Sequence, residues 1–119
     1  MAATQEFFQR LGGRAPVLEA GEGLVHHGPA NLFRGIEGVG GWLWMTDRRL
    51  AFTPHKMNVQ AQPEEWRFPE ITRVEAVRTL WVIPNGLKVT LRDGRTRRFV
   101  VSGRRTWVDR LRERSPAAF

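Results

Sequence analysis

Residues 86–101 run GLKVTLRDGRTRRFVV, and their periodicity decides the fold class. Leu87, Val89 and Leu91 alternate with Lys88, Thr90 and Arg92, the two-residue period of an antiparallel strand with one buried and one wet face. Asp93-Gly94 then predicts a hairpin turn, because Asp-Gly accepts the positive φ values of type I′. On the return strand Phe99 and Val101 face the core, Arg98 and Val100 face out, and Arg97 falls at the rim. Towards the N-terminus, short apolar segments broken by turn residues recur as far back as Pro16, the habit of an all-β sandwich or barrel. They predict strands at 23–33 with a break at Gly28-Pro29, and at 41–46, 49–53, 65–68 and 72–82, with Asp47-Arg48 as a second hairpin turn. Together with 86–92 and 96–101 these make seven strands in two sheets. After Ser102-Gly103 the period becomes helical: Trp107, Val108 and Leu111 share one face over 104–112, and Pro116 ends the run. At the other end, Thr4 caps a stripe of Phe7, Phe8 and Leu11 that Gly12-Gly13 stops, which predicts a short amphipathic helix over 4–11.

The 119 residues suffice for one core, and 41% hydrophobic with 26% charged residues is a globular balance. Nineteen Lys and Arg against twelve Asp and Glu leave a net charge of +7, which favours polyanions such as phospholipid headgroups or nucleic acid. Only Lys56 and Lys88 are lysines, so the arginine excess is open to a functional reading and to one of genomic bias. The absence of cysteine excludes disulfides, thiolate zinc sites and cysteine nucleophiles. The opening MAATQEFF lacks the basic start and apolar run of a signal peptide, and no stretch is long enough to span a bilayer. The expectation is a cytoplasmic protein whose membrane contact, if any, is peripheral and at the inner surface.

Catalytic patterns are missing. His26 and His27 are adjacent, so on a strand they point to opposite faces and cannot chelate one metal. Ser102 has no histidine neighbour and no nucleophile-elbow glycines. Glu64, Glu65 and Glu70 gather beside Arg67 as solvated charge, and Gly35, Gly38, Gly40 and Gly41 fit neither phosphate-loop spacing. The expectation is no enzyme, no metal and no cofactor. Three arginine groups remain, at Arg48-Arg49, at Arg92 to Arg98, and from Arg104 to Arg114, each with a solvated surface as its plain reading. Trp44, Trp66 and Trp107 fit as core residues. Trp42 shares the face of Trp44, opposite Leu43 and Met45, so both faces of that strand are apolar and one of them needs cover from the N-terminal helix or a partner.

Seven antiparallel strands followed by one amphipathic helix is a pleckstrin-homology-like layout. The blocks GPANLFRGIEGVGGWLWMTDRRLAFTPHKMNVQ, FPEITRVE, TLWVIPNGLKVTLRDG and FVVSGRRTWVDRL, in this order, resemble bacterial GRAM-domain proteins over about residues 22–111. The resemblance divides the chain into an N-terminal helical extension at 1–14 and a domain at 15–115. It implies a non-catalytic module that binds anionic membrane lipid or a protein partner. It also implies a ligand end formed by the loops after strands one, three and six, which here supply Arg34, His55, Lys56 and Arg95. The chain departs from the family at Trp42, where a polar residue is usual, and at Trp81, where a small one is, and both become candidates for a partner or helix-packing surface. Nonspecific nucleic-acid binding and a self-associating module, a homodimer in the simplest case, are the competing classes.

Overall fold

Leu87, Val89 and Leu91 are all buried, and Lys88 and Thr90 between them are half-exposed, so the alternation that sets the fold class holds residue by residue. The computed structural model describes residues 15–35, 37–56, 61–80 and 82–115. Its strands are β1 (Leu24–Arg34), β2 (Glu37–Thr46), β3 (Arg49–Pro54), β4 (Glu64–Arg67), β5 (Ile71–Thr79), β6 (Ile83–Leu91) and β7 (Thr96–Val101). A 3-10 turn at Phe68–Glu70 joins β4 to β5, and the helix α1 (Arg104–Arg114) follows β7. The helix expected over 4–11 lies outside the described residues, as does Trp81.

Every strand pair is antiparallel, in the order β4-β3-β2-β1-β7-β6-β5. The result is a mainly β curled half-barrel with one C-terminal helix. It is a single hydrogen-bonded sheet where two were expected, because the long β1 serves both layers. β1 pairs with β2 over nearly its whole length and with β7 from Ala30 to Phe33. The break expected at Gly28-Pro29 is absent. No partner residue of β7 lies opposite Pro29, so one side of β1 is an edge there and the missing proline donor is tolerated.

The turn at Asp93-Gly94 also differs from expectation. The N–H of Gly94 donates to the Leu91 carbonyl at 2.9 Å, and the N–H of Leu91 to the Arg95 carbonyl at 2.8 Å. Gly94 has φ 89° while Asp93 stays out of the left-handed region. This is a three-residue loop closed by a glycine bulge, an alternative to type I′ that Asp-Gly serves equally well.

Leu32, Leu43, Phe52, Val89 and Phe99 fill the concave side, and Trp107 and Leu111 of α1 pack on the same cluster. A second cluster sits on the convex side of β2 and β3. There Trp44 and Ala51 are buried under Ala15, Leu18, Leu24 and Trp42, so a segment of the same chain that precedes β1 helps cover the second apolar face. Trp44 Nε1 donates to Thr53 Oγ1 at 2.8 Å.

An ion pair locks this cover. Arg49 donates to the Glu22 carboxylate from Nε at 2.9 Å and from Nη2 at 3.0 Å, and Nη2 also reaches the Val17 carbonyl at 2.6 Å. Thr46 Oγ1 donates to Glu22 at 2.6 Å, and Arg49 bonds Glu65 as well. Arg49 and Glu65, expected as solvated charge, are therefore structural donors and acceptors.

Candidate binding site at the loop end

Antiparallel pairing fixes which loops meet. Arg34 pairs with Glu37, Gly41 with Pro54, Phe52 with Glu64, Phe33 with Arg98 and Thr90 with Thr96. The loops β1–β2, β3–β4 and β6–β7 therefore leave the half-barrel at one end. An open recess of about 410 Å³ lies there, lined by Leu32, Phe33, Gly35, Glu64, Thr96 and Arg97.

Arg97 decides the character of this recess. Its position two residues before Phe99 turns it inward at the rim, where Nε donates to Glu64 Oε1 at 2.8 Å. Its guanidinium lies 5.9 Å from the centre of the Trp66 ring, within reach of a cation–π contact. The pair closes the mouth of the barrel over the core. Sequence reading found Arg97 at the rim but missed Glu64 as its partner, since the two are 33 residues apart.

Three of the four expected ligand residues share this end. Arg34 is the last residue of β1, Lys56 is exposed just past β3, and Arg95 is exposed in the β6–β7 loop. The Arg95 guanidinium pairs with Asp93 at 2.6 Å. The backbone N–H and then the side chain of Arg95 hold the Asp93 carboxyl below its ordinary range. His55 goes elsewhere. Its N–H donates to the Gly40 carbonyl at 3.0 Å, and its ring lines a shallow groove on the convex face with Asn31, Gly40, Asn85, Val100 and Ser102. Trp42 is half-buried in the cluster around Trp44.

No group of three His, Cys, Asp or Glu side chains comes together among the described residues. His26 meets Trp107 edge-on at 4.5 Å, while His27 stacks against Trp44 at 5.6 Å on the other face. Burial lowers both imidazole pKa values, and Arg110 and then His27 add to the effect at His26. Among the described residues no helix is long and apolar enough to cross a membrane.

No family model and no curated protein matches the chain. Solved structures do. The C-terminal domain of an unknown protein from Leishmania infantum matches with TM-score 0.71 and 17% identity, over 97% of this chain and 96% of that one. The linker-DH/PH domains of p115-RhoGEF match with TM-score 0.63 and 14% identity, over 85% of this chain and 31% of that one. The fold is pleckstrin-homology-like. The PDZ-RhoGEF DH/PH domains, solved in complex with GTP-γ-S activated RhoA, match this PH-like chain with TM-score 0.62 and 12% identity, over 81% of it and 30% of theirs. The chain thus spans about a third of the RhoGEF fragments. At these identities the likeness shows the PH-like fold alone.

Proposed function

We propose that the protein is a non-catalytic binding module of the GRAM type that takes an anionic group at the loop end of its half-barrel. The observation that carries this reading is the register, which sends three loops to one end, with Arg34, Lys56 and Arg95 in or beside them. The recess at this end is lined by a pair already neutralised within the fold, Arg97 with Glu64, so the charge that draws an anion comes from the loops. Compact anions, phosphate or carboxylate, are the shared chemistry. The complex of PDZ-RhoGEF DH/PH domains with RhoA makes a protein a precedent as a source of carboxylates, beside a lipid headgroup as a source of phosphate.

The test is an NMR titration of the full chain with glycerophosphoglycerol and, separately, with polyglutamate. Amide shifts are expected at Gly35, Lys56 and Arg95 to Arg97, and should vanish in the variant Arg34→Glu/Lys56→Glu/Arg95→Glu. The thermal midpoint of that variant should stay close to the parent's, because exposed charges contribute little to stability. Shifts confined to another surface, or shifts that survive the triple substitution, would remove the loop end as the site.

A further inference from the structure

At the other end of β6 the chain makes a turn with the wrong residues for its backbone. Thr79 pairs with Ile83, and the N–H of Val82 donates to the Thr79 carbonyl at 3.2 Å. Leu80 is thus the first central residue of a tight hairpin turn, and its φ is 51°. Glycine, asparagine or aspartate usually takes that left-handed position, since a branched apolar side chain is strained there. Packing does not compensate for the strain. Leu80 is 78% exposed, Val82 73% and Ile83 42%, three of the four large hydrophobic side chains that stand out in water among the described residues.

Cations lie on the two elements that meet near the tip. Arg78 is exposed two residues before Leu80. Arg104 Nη1 donates to the Val77 carbonyl at 2.7 Å, which brings the start of α1 beside this end of β5, and the next residue, Arg105, is exposed. The first turn of α1 holds no acidic residue, although a helix N-terminus favours carboxylates and is disfavoured by cations. Two elements that meet here each carry the residue type that local stability opposes. Together they form an apolar tip flanked by basic residues.

We infer that this tip is a membrane anchor, with Leu80, Val82 and Ile83 entering an anionic phospholipid bilayer while Arg78, Arg104 and Arg105 lie against the headgroup phosphates. The shape points to a bilayer because the exposed side chains stand at the end of a hairpin turn, and a fluid apolar layer receives a protrusion without matching its contour. The composition agrees, since a few aliphatic side chains hold a peripheral protein at a membrane only when basic residues add attraction to anionic lipid. This goes beyond the loop-end reading. β6 runs from the tip at Ile83 to the loop end after Leu91, so a tip in the bilayer leaves the loop end at the far end of the strand from it.

The chain has no cysteine, so Val82→Cys carrying an environment-sensitive fluorophore labels the tip alone. Its emission should brighten and shift to the blue with vesicles of phosphatidylcholine and phosphatidylglycerol, and stay unchanged with phosphatidylcholine alone. The full-length variant Leu80→Asn/Val82→Ser/Ile83→Ser should lose co-sedimentation with the mixed vesicles by at least about tenfold, because three aliphatic side chains no longer leave water. Its thermal midpoint should match or exceed the parent's. Arg78→Glu/Arg105→Glu should lose binding too, and high salt should weaken the parent. The loop-end triple variant should still bind vesicles, which separates this inference from the loop-end reading. Absence of vesicle binding by the parent overturns the inference, as does binding by the tip variant at the parent's level. A tip substitution that converts a dimer to a monomer without changing vesicle binding overturns it in favour of a second copy as occupant.

Discussion

Glu22 is 2% exposed and Arg49 6%, which makes their pair the most enclosed charge in the described chain. Burial pushes the Glu22 carboxyl up, but hydrogen bonds from Arg49, Thr46 and the Glu19 backbone outweigh it and hold the group below its ordinary 4.5. Removing one partner should cost more than the pair contributes, since it strands a buried charge. Arg49→Met is expected to destabilise by about 3 kcal/mol in urea unfolding, and Glu22→Leu/Arg49→Met should recover a large part of that loss. Acid should act in steps. His26 and His27 sit below their ordinary 6.5, Glu22 below 4.5, and Glu19, bonded first by Arg67 and also by Arg48, is lowered to about 2. Each depressed pKa contributes stability that is complete above the ordinary value and is lost as pH falls through the folded one. The thermal midpoint should therefore begin to fall below pH 6.5 and fall further below 4.5, with the first step absent from His26→Phe/His27→Phe. Leu80 makes the opposite kind of residue. Leu80→Asn should raise stability by about 1 kcal/mol through relief of the left-handed strain, and the same substitution should weaken vesicle binding.

At the level of elements, α1 uses its arginines as hydrogen-bond donors. Arg112 donates from Nε and Nη2 to the Val74 carbonyl at 3.2 and 2.9 Å, Arg104 reaches Val77, and Arg110 bonds the Val25 carbonyl at 2.8 Å. Val74 and Val77 belong to β5, which is an edge of the sheet, and since carbonyls three residues apart point to opposite sides of a strand, the helix covers one acceptor that would otherwise help template an added strand. Sequence reading placed Trp107, Val108 and Leu111 on the inner face, and periodicity then left the arginines to solvent. Nothing in a helical period tells a guanidinium in water from one bonded to a carbonyl. Arg104→Ala/Arg112→Ala should lose about 1 kcal/mol per bonded carbonyl at most and should self-associate on standing, as followed by light scattering. An unchanged particle size would show that the edge is protected by other means. Strand ends show the same limits. β2 begins at Glu37, earlier than expected, because Gly38 and Gly40 give no alternating signal. β5 ends at Thr79, because the apolar run through Val82 imitates a strand while forming the exposed turn.

For the whole molecule, alternation and turn residues made the seven strands and the capping helix legible, and they also showed that β2 is apolar on both faces. The identity of the cover was not legible. Residues 15–22 have no period, and they are held by Glu19 and Glu22 through arginines 27 to 48 positions away. The loop end was legible only through family resemblance, and its recess depends on the equally distant contact of Arg97 with Glu64. These long contacts give the last prediction its form. A chain beginning at Ala15 keeps the cover over Trp44 and the partner of Arg49, so it should match the full-length thermal midpoint. A chain beginning at Gly23 loses Ala15 and Leu18 from the convex cluster and leaves Arg49 without Glu22. Tryptophan emission should then shift to the red, the midpoint should drop, and the protein should aggregate as an apolar patch faces water. If the Gly23 chain melts with the full-length protein, residues 15–22 are dispensable and the convex cluster does not stabilise the fold. If the Ala15 chain already fails, residues 1–14 supply cover beyond what Ala15 and Leu18 provide. The tip at Leu80 lies on the opposite layer of the half-barrel, so vesicle binding per folded molecule should be the same in every chain that folds.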